Sequence, residues 1–280
     1  MAGARVTRDF GLLLRAAWAQ GKHVCVGLDP DPTLLPDSIR AGATPLRATV
    51  AFCRAIITAT QDLVCAYKPN AAFFEALGGP GIDALGTIIA EINAAAPDVA
   101  VIYDAKRGDI GSTNAGTVHH AFELLGADAI TVSPYLGRKA MEPFLERAEK
   151  GIFVLCRTSN PGAGEFQDLE FADGKKLFEV VASQIVKTWN GRENCGLVMG
   201  ATDTAALARV RNIVGDLPLL VPGIGAQGGD LAATLDAGRG ASGPCMLINA
   251  SRSILYASSG EDFAAAARRE TERLHAEITP

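Results

Sequence analysis

The stretch Val99-Ala-Val-Ile-Tyr-Asp104-Ala-Lys106-Arg-Gly-Asp109 decides how this sequence folds. It begins with a continuous apolar run, which is typical of a parallel β-strand that is buried on both faces. The run ends in charged residues. Because residues two apart in an extended chain point to the same face, Asp104 and Lys106 should project together from the end of this strand.

The same unit, an apolar strand followed by an amphipathic helix, recurs along the chain. The strand candidates are His23–Asp29, Leu63–Lys68, Val99–Asp104, Asp128–Ser133, Ile152–Cys156, Cys195–Met199, Leu217–Pro222 and Cys245–Asn249. Helical patterns follow near residues 46–61, 82–96, 114–126, 138–150, 175–190, 203–214, 229–237 and 262–277. Eight such units predict the α/β class and a single (β/α)8 TIM barrel domain over residues 1–280. A doubly wound open sheet is the alternative.

An extra helix is predicted before the first strand, at residues 7–20. Its apolar side chains recur at i, i+3, i+4, i+7 and i+8, which is the spacing of one helix face. These side chains are Phe10, Leu13, Leu14, Ala17 and Trp18. Because Arg15 interrupts the apolar run and no cleavage site follows, the segment does not have the pattern of a signal peptide. We expect it to close the bottom of the barrel.

Composition excludes several classes of protein. Of the 280 residues, 48% are hydrophobic and 20% are charged, so the chain can bury a large core. The net charge of −5 disfavours a nucleic acid or a membrane as partner, and no apolar stretch is long enough to span a bilayer. The six cysteines include no C-x-x-C pair, which indicates buried free thiols in a cytoplasmic protein.

Charged residues collect at the predicted carboxyl ends of neighbouring strands, where barrels of this class hold their active sites. Lys68 ends the second strand, next to the third strand with its Asp104, Lys106 and Asp109. At about 4 Å and an effective dielectric constant near 20, each opposite pair gains about 4 kcal/mol before desolvation. The pattern predicts a network of ionised groups, and its alternative is a solvated salt-bridge loop.

A second cluster indicates a phosphate site. The sequence Gly223-Ile-Gly225-Ala-Gln227-Gly-Gly229 follows the seventh strand and precedes a helix, so that backbone N–H groups can face an anion. Arg252 follows the eighth strand and can supply a guanidinium. The alternative is a flexible glycine loop beside a surface arginine. We find no metal-binding or dinucleotide-binding motif, and therefore expect no metal and no cofactor.

Five blocks of sequence resemble the orotidine 5′-phosphate decarboxylase family, in particular its longer bacterial form found in actinobacteria. Together with Arg252 they span residues 24 to about 252, and the block D-A-K-R-G-D-I-G-S-T is highly specific. The blocks are Val24–Pro32, Tyr67–Glu75, Asp104–Thr113, Arg157–Gly162 and Val221–Gly229. The resemblance implies decarboxylation of orotidine 5′-monophosphate to UMP and carbon dioxide, the last step of de novo UMP biosynthesis, without a cofactor.

The resemblance also implies roles for the charged residues. Lys106 is similar to the lysine that protonates C6 of the pyrimidine. Asp104 is similar to the aspartate that faces the substrate carboxylate, and Lys68 to the lysine that bridges it to the ribose. Asp109 and Thr113 resemble residues contributed by the second subunit of a homodimer, which implies active sites shared between subunits.

The substrate-binding residues follow by the same resemblance. Asp29 matches an aspartate that binds a ribose hydroxyl, and Ser159 a serine that reads the pyrimidine ring. Gln227, Arg252 and the loop glycine Gly225 match the phosphate site. Shorter forms of the family add a tyrosine from a long loop after the seventh strand, which this sequence lacks. Its long 160–174 loop is a candidate for that task.

Three other functions are compatible with the sequence. Lys68 or Lys106 could form a Schiff base in an aldolase-type barrel, although flanking carboxylates favour protonated lysines. The phosphate site could belong to a nucleotide-binding module without catalysis. A sister family that decarboxylates keto-gulonate phosphates has a related motif on its third strand and depends on magnesium.

Overall fold

The fold is a closed barrel of parallel strands surrounded by helices. The computed structural model describes residues 8–224 and 229–279, and within them eight strands pair in sequence order, with β8 returning to β1. The strands are β1 Val24–Leu28, β2 Val64–Pro69, β3 Ala100–Arg107, β4 Ala129–Val132, β5 Gly151–Arg157, β6 Cys195–Met199, β7 Leu219–Pro222 and β8 Met246–Ala250. The predicted (β/α)8 barrel is confirmed, and the open sheet is wrong.

The helices lie where the sequence patterns place them, with short additions. They are α1 Phe10–Ala19, α2 Asp37–Arg40, α3 Pro45–Thr60, α4 Ala71–Glu75, α5 Gly79–Ala95, α6 Gly111–Val118, α7 Gly137–Leu145, α8 Gly164–Gln167, α9 Leu177–Gln184, α10 Thr204–Val214, α11 Leu231–Gly238, α12 Arg252–Leu255 and α13 Phe263–Ile278. Two π-helical segments, His119–Leu124 and Ile185–Trp189, extend α6 and α9. Four short helices, α2, α4, α8 and α12, were not predicted, because four or five residues are too few to show a helical period.

Polar residues determine where several helices begin. Thr44 accepts a hydrogen bond from the backbone N–H of Arg47 at the start of α3, whose first residue is Pro45. Asp203 and Asp230 cap α10 and α11 in the same way. These side chains satisfy N–H groups that have no partner inside a helix, and such caps typically contribute about 1 kcal/mol.

The main core lies between the barrel wall and the helices. Its largest fully buried side chains include Tyr67 on β2, Phe74 on α4 and Phe144 on α7. All six cysteines are free and buried, as the sequence predicts. No helix in the described part of the chain is long and apolar enough to cross a membrane.

The inner face of the barrel has two ends of different character. Residues at alternate positions point inward, so Ala100, Ile102 and Asp104 of β3 follow each other along the barrel axis. The first two belong to an apolar cluster at the base, together with Phe10 and Leu14 of α1. The third lies at the carboxyl end of the strand, where the barrel opens into a cavity.

Helix α1 closes the base, as predicted. Phe10 lies edge-on against Phe153 of β5, with ring centroids 5.6 Å apart. A Cβ at Gly151 would lie 2.4 Å from the Phe10 ring, so glycine is required for this contact. Arg8 fixes the start of the helix, because its guanidinium donates to both carboxylate oxygens of Asp128 at 2.8 and 2.9 Å.

Candidate active site

A cavity of about 530 Å³ opens at the carboxyl ends of the strands, within the range usual for small-ligand sites. It is lined by polar and charged residues from most of the strands and by a few apolar ones. They are Asp29, Lys68, Asn70, Asp104, Lys106, Thr131, Leu155, Thr158, Ser159, Asn160, Gln167, Val198, Leu220, Pro222, Gly223, Ile224, Asn249, Ser251, Arg252 and Ser253. Six predicted site residues therefore share one cavity: Asp29, Lys68, Asp104, Lys106, Ser159 and Arg252.

Asp104 lies between two lysines in this cavity. Its Oδ2 accepts a hydrogen bond from Lys68 Nζ at 2.6 Å, and its Oδ1 accepts one from Lys106 Nζ at 2.7 Å. Asp104 and Lys68 are buried, with 6% and 4% of their surface exposed, whereas 49% of the Lys106 side chain is exposed. The predicted charge network is present, and only Lys106 extends into the open part of the cavity.

The electrostatics hold the buried pair ionised. Burial alone would raise the pKa of Asp104, but the ammonium groups of Lys68 and Lys106 hold that pKa well below its usual range. Burial alone would lower the pKa of Lys68. The carboxylates of Asp104 and Asp29 outweigh that effect and raise the Lys68 pKa above its ordinary value.

The backbone at Lys106 departs from the extended geometry assumed in the sequence analysis. Its φ of 47° lies in the left-handed region, which costs a non-glycine residue on the order of 1–3 kcal/mol. The register between β3 and β4 also shifts there, since Tyr103 pairs with Ile130 and Arg107 with Val132. The side chains of Asp104 and Lys106 do meet, as expected. They meet because β3 bulges at this point, and not because of the alternation of a regular strand.

Two buried acceptor atoms at the cavity have no hydrogen-bond partner among the described residues. They are Oδ1 of Asp29, after β1, and Oδ1 of Asn249, on β8. A buried polar atom without a partner costs about 1–3 kcal/mol, which a ligand hydroxyl or amide can recover by donating to it. Arg252 lies nearby on α12 and is exposed.

Four of the predicted site residues are not placed in the cavity. Asp109 and Thr113 are exposed and do not line it, and the Asp109 carboxylate accepts a hydrogen bond from the Ile110 N–H at 2.6 Å. Within one chain, therefore, these two residues do not join the lysines in the cavity lining. Gly225 and Gln227 lie outside the described residues.

Several residues that shape the cavity were not predicted from the sequence. Thr131 on β4 donates from its hydroxyl to Asp104 Oδ1 at 2.8 Å and accepts from the Lys106 N–H at 2.9 Å. Its only sequence signal is a polar residue inside the apolar strand Ala129–Val132. Asn249 had a similar signal at the end of β8, whereas the signal for Gln167 was only its position in the long 160–174 loop.

The 160–174 loop is fixed against the end of β5. Arg157 donates to both carboxylate oxygens of Asp168 at 3.0 and 2.9 Å. Gln167 Oε1 accepts from the Thr158 N–H at 2.8 Å, and Gln167 lines the cavity beside Ser159. This loop therefore forms one wall of the cavity.

Fold and site together define a (β/α)8-barrel enzyme whose charged groups lie at the carboxyl ends of its strands. Residues 22–269 match the model of the orotidine 5′-phosphate decarboxylase / HUMPS family, and the chain belongs to that family.

Named relatives agree with this assignment. The chain is 53% identical over 261 residues to an orotidine 5′-phosphate decarboxylase of Aromatoleum aromaticum, covering 93% of this chain and 94% of that protein. It is similar to the structure of Leishmania donovani OMP decarboxylase, with 41% identity, a TM-score of 0.82, and coverage of 97% of this chain and 99% of that one. It is also similar to the structure of Leishmania donovani UMP synthase, with 44% identity and a TM-score of 0.85. That match covers 96% of this chain and only 56% of that longer one.

Proposed function

We propose that this chain decarboxylates orotidine 5′-monophosphate to UMP and carbon dioxide, the last step of de novo UMP biosynthesis, without a cofactor. The observation that carries the proposal is the buried carboxylate of Asp104 held between the ammonium groups of Lys68 and Lys106 in the cavity. Family membership and the named relatives support it.

The reaction needs this kind of electrostatic site. Loss of carbon dioxide from C6 leaves a carbanion that the pyrimidine π system does not delocalise, so charge stabilisation must come from the protein. The Lys106 ammonium would stabilise the developing negative charge and then donate its proton to C6. Asp104 would lie beside the substrate carboxylate as it leaves, and Lys68 would connect Asp104 to the ribose.

Binding groups away from C6 would supply the energy that holds the substrate in this charged site. We assign Asp29, with its unpartnered buried Oδ1, to a ribose hydroxyl, and Ser159 to the pyrimidine ring. Arg252 would bind the phosphate, together with Gly225 and Gln227. The 160–174 loop would cover the ring from the side of Ser159, which makes it the candidate for enclosing the substrate.

We also propose that two copies of the chain share their active sites. Asp109 and Thr113 are exposed and lie away from the cavity of their own chain, which suits residues that complete the site of a second subunit. The functional unit would then be a homodimer of single-domain chains in the cytoplasm, a location that six free thiols favour.

Mixing inactive subunits tests the shared site. Lys106→Ala and Asp109→Ala homodimers should each be inactive, and a hybrid should regain one working site of the two. Activity after subunit exchange should therefore rise well above that of either parent. Exchange that is verified by mass but restores no activity would place Asp109 in the site of its own chain.

The function itself is tested by the fall in ultraviolet absorbance when orotidine 5′-monophosphate is added in the presence of EDTA. We expect turnover that EDTA does not reduce. No turnover of this substrate, together with magnesium-dependent release of carbon dioxide from a keto-gulonate phosphate, would favour the sister reaction. Tight UMP binding without any fall in absorbance would favour a nucleotide-binding module.

Borohydride trapping with a sugar phosphate tests the aldolase alternative. A nucleophilic lysine must be neutral, but the carboxylates around Lys68 raise its pKa. We therefore expect no covalent adduct by mass spectrometry. A reduced adduct at Lys68 or Lys106 would contradict the proposed chemistry.

A further inference from the structure

Thr131 occupies the point where the third and fourth strands lose their regular pairing. Between the pairs Tyr103–Ile130 and Arg107–Val132, the residues 104–106 of β3 face the single residue Thr131 of β4. Ladder hydrogen bonds are disrupted across such a bulge. The Lys106 N–H is paired nevertheless, because it donates to the Thr131 hydroxyl at 2.9 Å.

The same hydroxyl also contacts the buried carboxylate. Thr131 Oγ1 donates to Asp104 Oδ1 at 2.8 Å, the oxygen that also accepts from Lys106 Nζ at 2.7 Å. A closed circuit results, from the Lys106 N–H to Thr131, to Asp104, and back to the ammonium of Lys106. The backbone N–H and the side-chain ammonium of Lys106 are therefore connected to each other through Thr131 and Asp104.

The circuit has a fixed direction of hydrogen bonding. A backbone N–H can only donate and an ionised carboxylate can only accept, so the hydroxyl must accept from the first and donate to the second. Thr131 is only 1% exposed, although it lies at the wall of the cavity. Serine can replace threonine in this role, whereas valine, of similar shape, cannot.

We propose that Thr131 is a positioning residue, which holds the left-handed backbone of Lys106 and one oxygen of Asp104 so that the Lys106 ammonium lies where the reaction needs it. The inference rests on the proposed function. It assigns to Thr131 no contact with reacting atoms and no proton transfer, and it predicts an effect on the rate of the chemical step more than on substrate binding.

Three variants separate this role from a general loss of packing. Thr131→Val removes the hydroxyl, and Thr131→Ser keeps it and removes the methyl group. Thr271→Val is the matched control, since Thr271 is a fully buried threonine of α13 whose hydroxyl donates to Ala267 O at 2.8 Å, away from the cavity. All three are purified as folded protein and assayed for kcat and KM.

We expect kcat to fall roughly 10- to 100-fold in Thr131→Val, as when a residue that orients a metal ligand is removed, with KM within about threefold of wild type. Thr131→Ser and Thr271→Val should keep kcat within about threefold. A Thr131→Val kcat close to wild type, an equal loss in Thr131→Ser, or a change confined to KM would overturn the proposal. If the valine variant does not fold, Thr131→Ala is judged by the same criteria.

Hydrogen exchange at the Lys106 amide gives a readout that does not depend on turnover. We expect the amide to exchange at least about tenfold faster in Thr131→Val than in wild type or Thr131→Ser, because it loses its acceptor. Unchanged exchange would overturn the proposal even in an active enzyme. A wild-type protein that fails to decarboxylate the substrate, with this exchange pattern intact, would refute the proposed function alone.

Discussion

The two ends of the barrel are built from the same strands and differ in almost every physical respect. At the base, Ala100 and Ile102 of β3 pack with Phe10 of α1 in an apolar cluster. At the opposite end, Asp104 and Lys106 of the same strand lie in a cavity with buried charge and a strained backbone. One strand thus contributes to the apolar base at its amino end and, in the proposed function, to catalysis at its carboxyl end. The two contributions should be separable by mutation.

The largest effect is expected for Lys106→Ala. General acid catalysis contributes typically 10²–10⁴-fold and a charged stabilising group 10²–10³-fold, so kcat should fall by roughly 10⁴-fold or more. The melting temperature should change little, because about half of the side chain is exposed. Steady-state kinetics and thermal unfolding measure the two quantities. Near-normal turnover would refute the role of Lys106 as proton donor.

Asp104→Asn should disturb both activity and stability. The substitution leaves the ammonium of Lys68 buried without its carboxylate, which typically destabilises a protein by about 3–5 kcal/mol. Urea unfolding at pH 7 measures this difference in the free energy of unfolding. Asp62→Asn is the control, because Asp62 pairs with Arg268 at the surface and should matter little.

The lowered pKa of Asp104 determines how the stability of the fold changes with pH. A carboxyl whose pKa is lower in the folded than in the unfolded chain, where it is about 3.9, stabilises the fold fully above that value. The stabilisation is lost as the pH falls towards the folded pKa. The difference in the free energy of unfolding between wild type and Asp104→Asn should therefore decrease from pH 7 to pH 3. A difference that increases would contradict this account.

At the base, Phe10→Ala should lower stability and leave catalysis intact. Removing a buried phenylalanine typically costs about 3–5 kcal/mol, and Phe10 is buried against Phe153. We expect kcat to stay within about threefold of wild type at a temperature where the variant is folded. Leu12→Ala on the exposed face of the same helix is the control. A tenfold loss of kcat in Phe10→Ala would show that the two ends are coupled.

The smallest effect is expected for Tyr256→Phe, which removes two hydrogen bonds to the segment after β1 and leaves every charged group in place. The Tyr256 hydroxyl accepts from the Asp31 N–H at 2.7 Å and donates to the Asp29 carbonyl oxygen at 3.2 Å. Its loss should cost about 0.5–1.5 kcal/mol and raise KM two- to threefold through the position of Asp29, with kcat unchanged. An unaltered KM would show that Asp29 is held by other contacts.

Much of the base and wall of the barrel could be predicted from the sequence. The apolar runs, the amphipathic helices and the helix at the N-terminus follow from period and residue type, which act over a few neighbours. The rim was harder to predict. Lys106 contacts Asp104 because of a bulge in β3 that no local sequence pattern predicts. Thr131 makes its two hydrogen bonds only because of the register between β3 and β4. Asp109 looked like a member of the same cluster and lies outside the cavity of its chain.

The sequence by itself determined the strand and helix order, the buried thiols and the residue types gathered at the carboxyl ends of the strands. Those features depend on backbone periodicity and on the transfer of apolar side chains from water, which are encoded locally. Only the tertiary structure decided which charges are buried, which acceptors lack partners and where the strand bulges. Each of these depends on the register between segments far apart in the chain, and register is fixed only when the barrel closes.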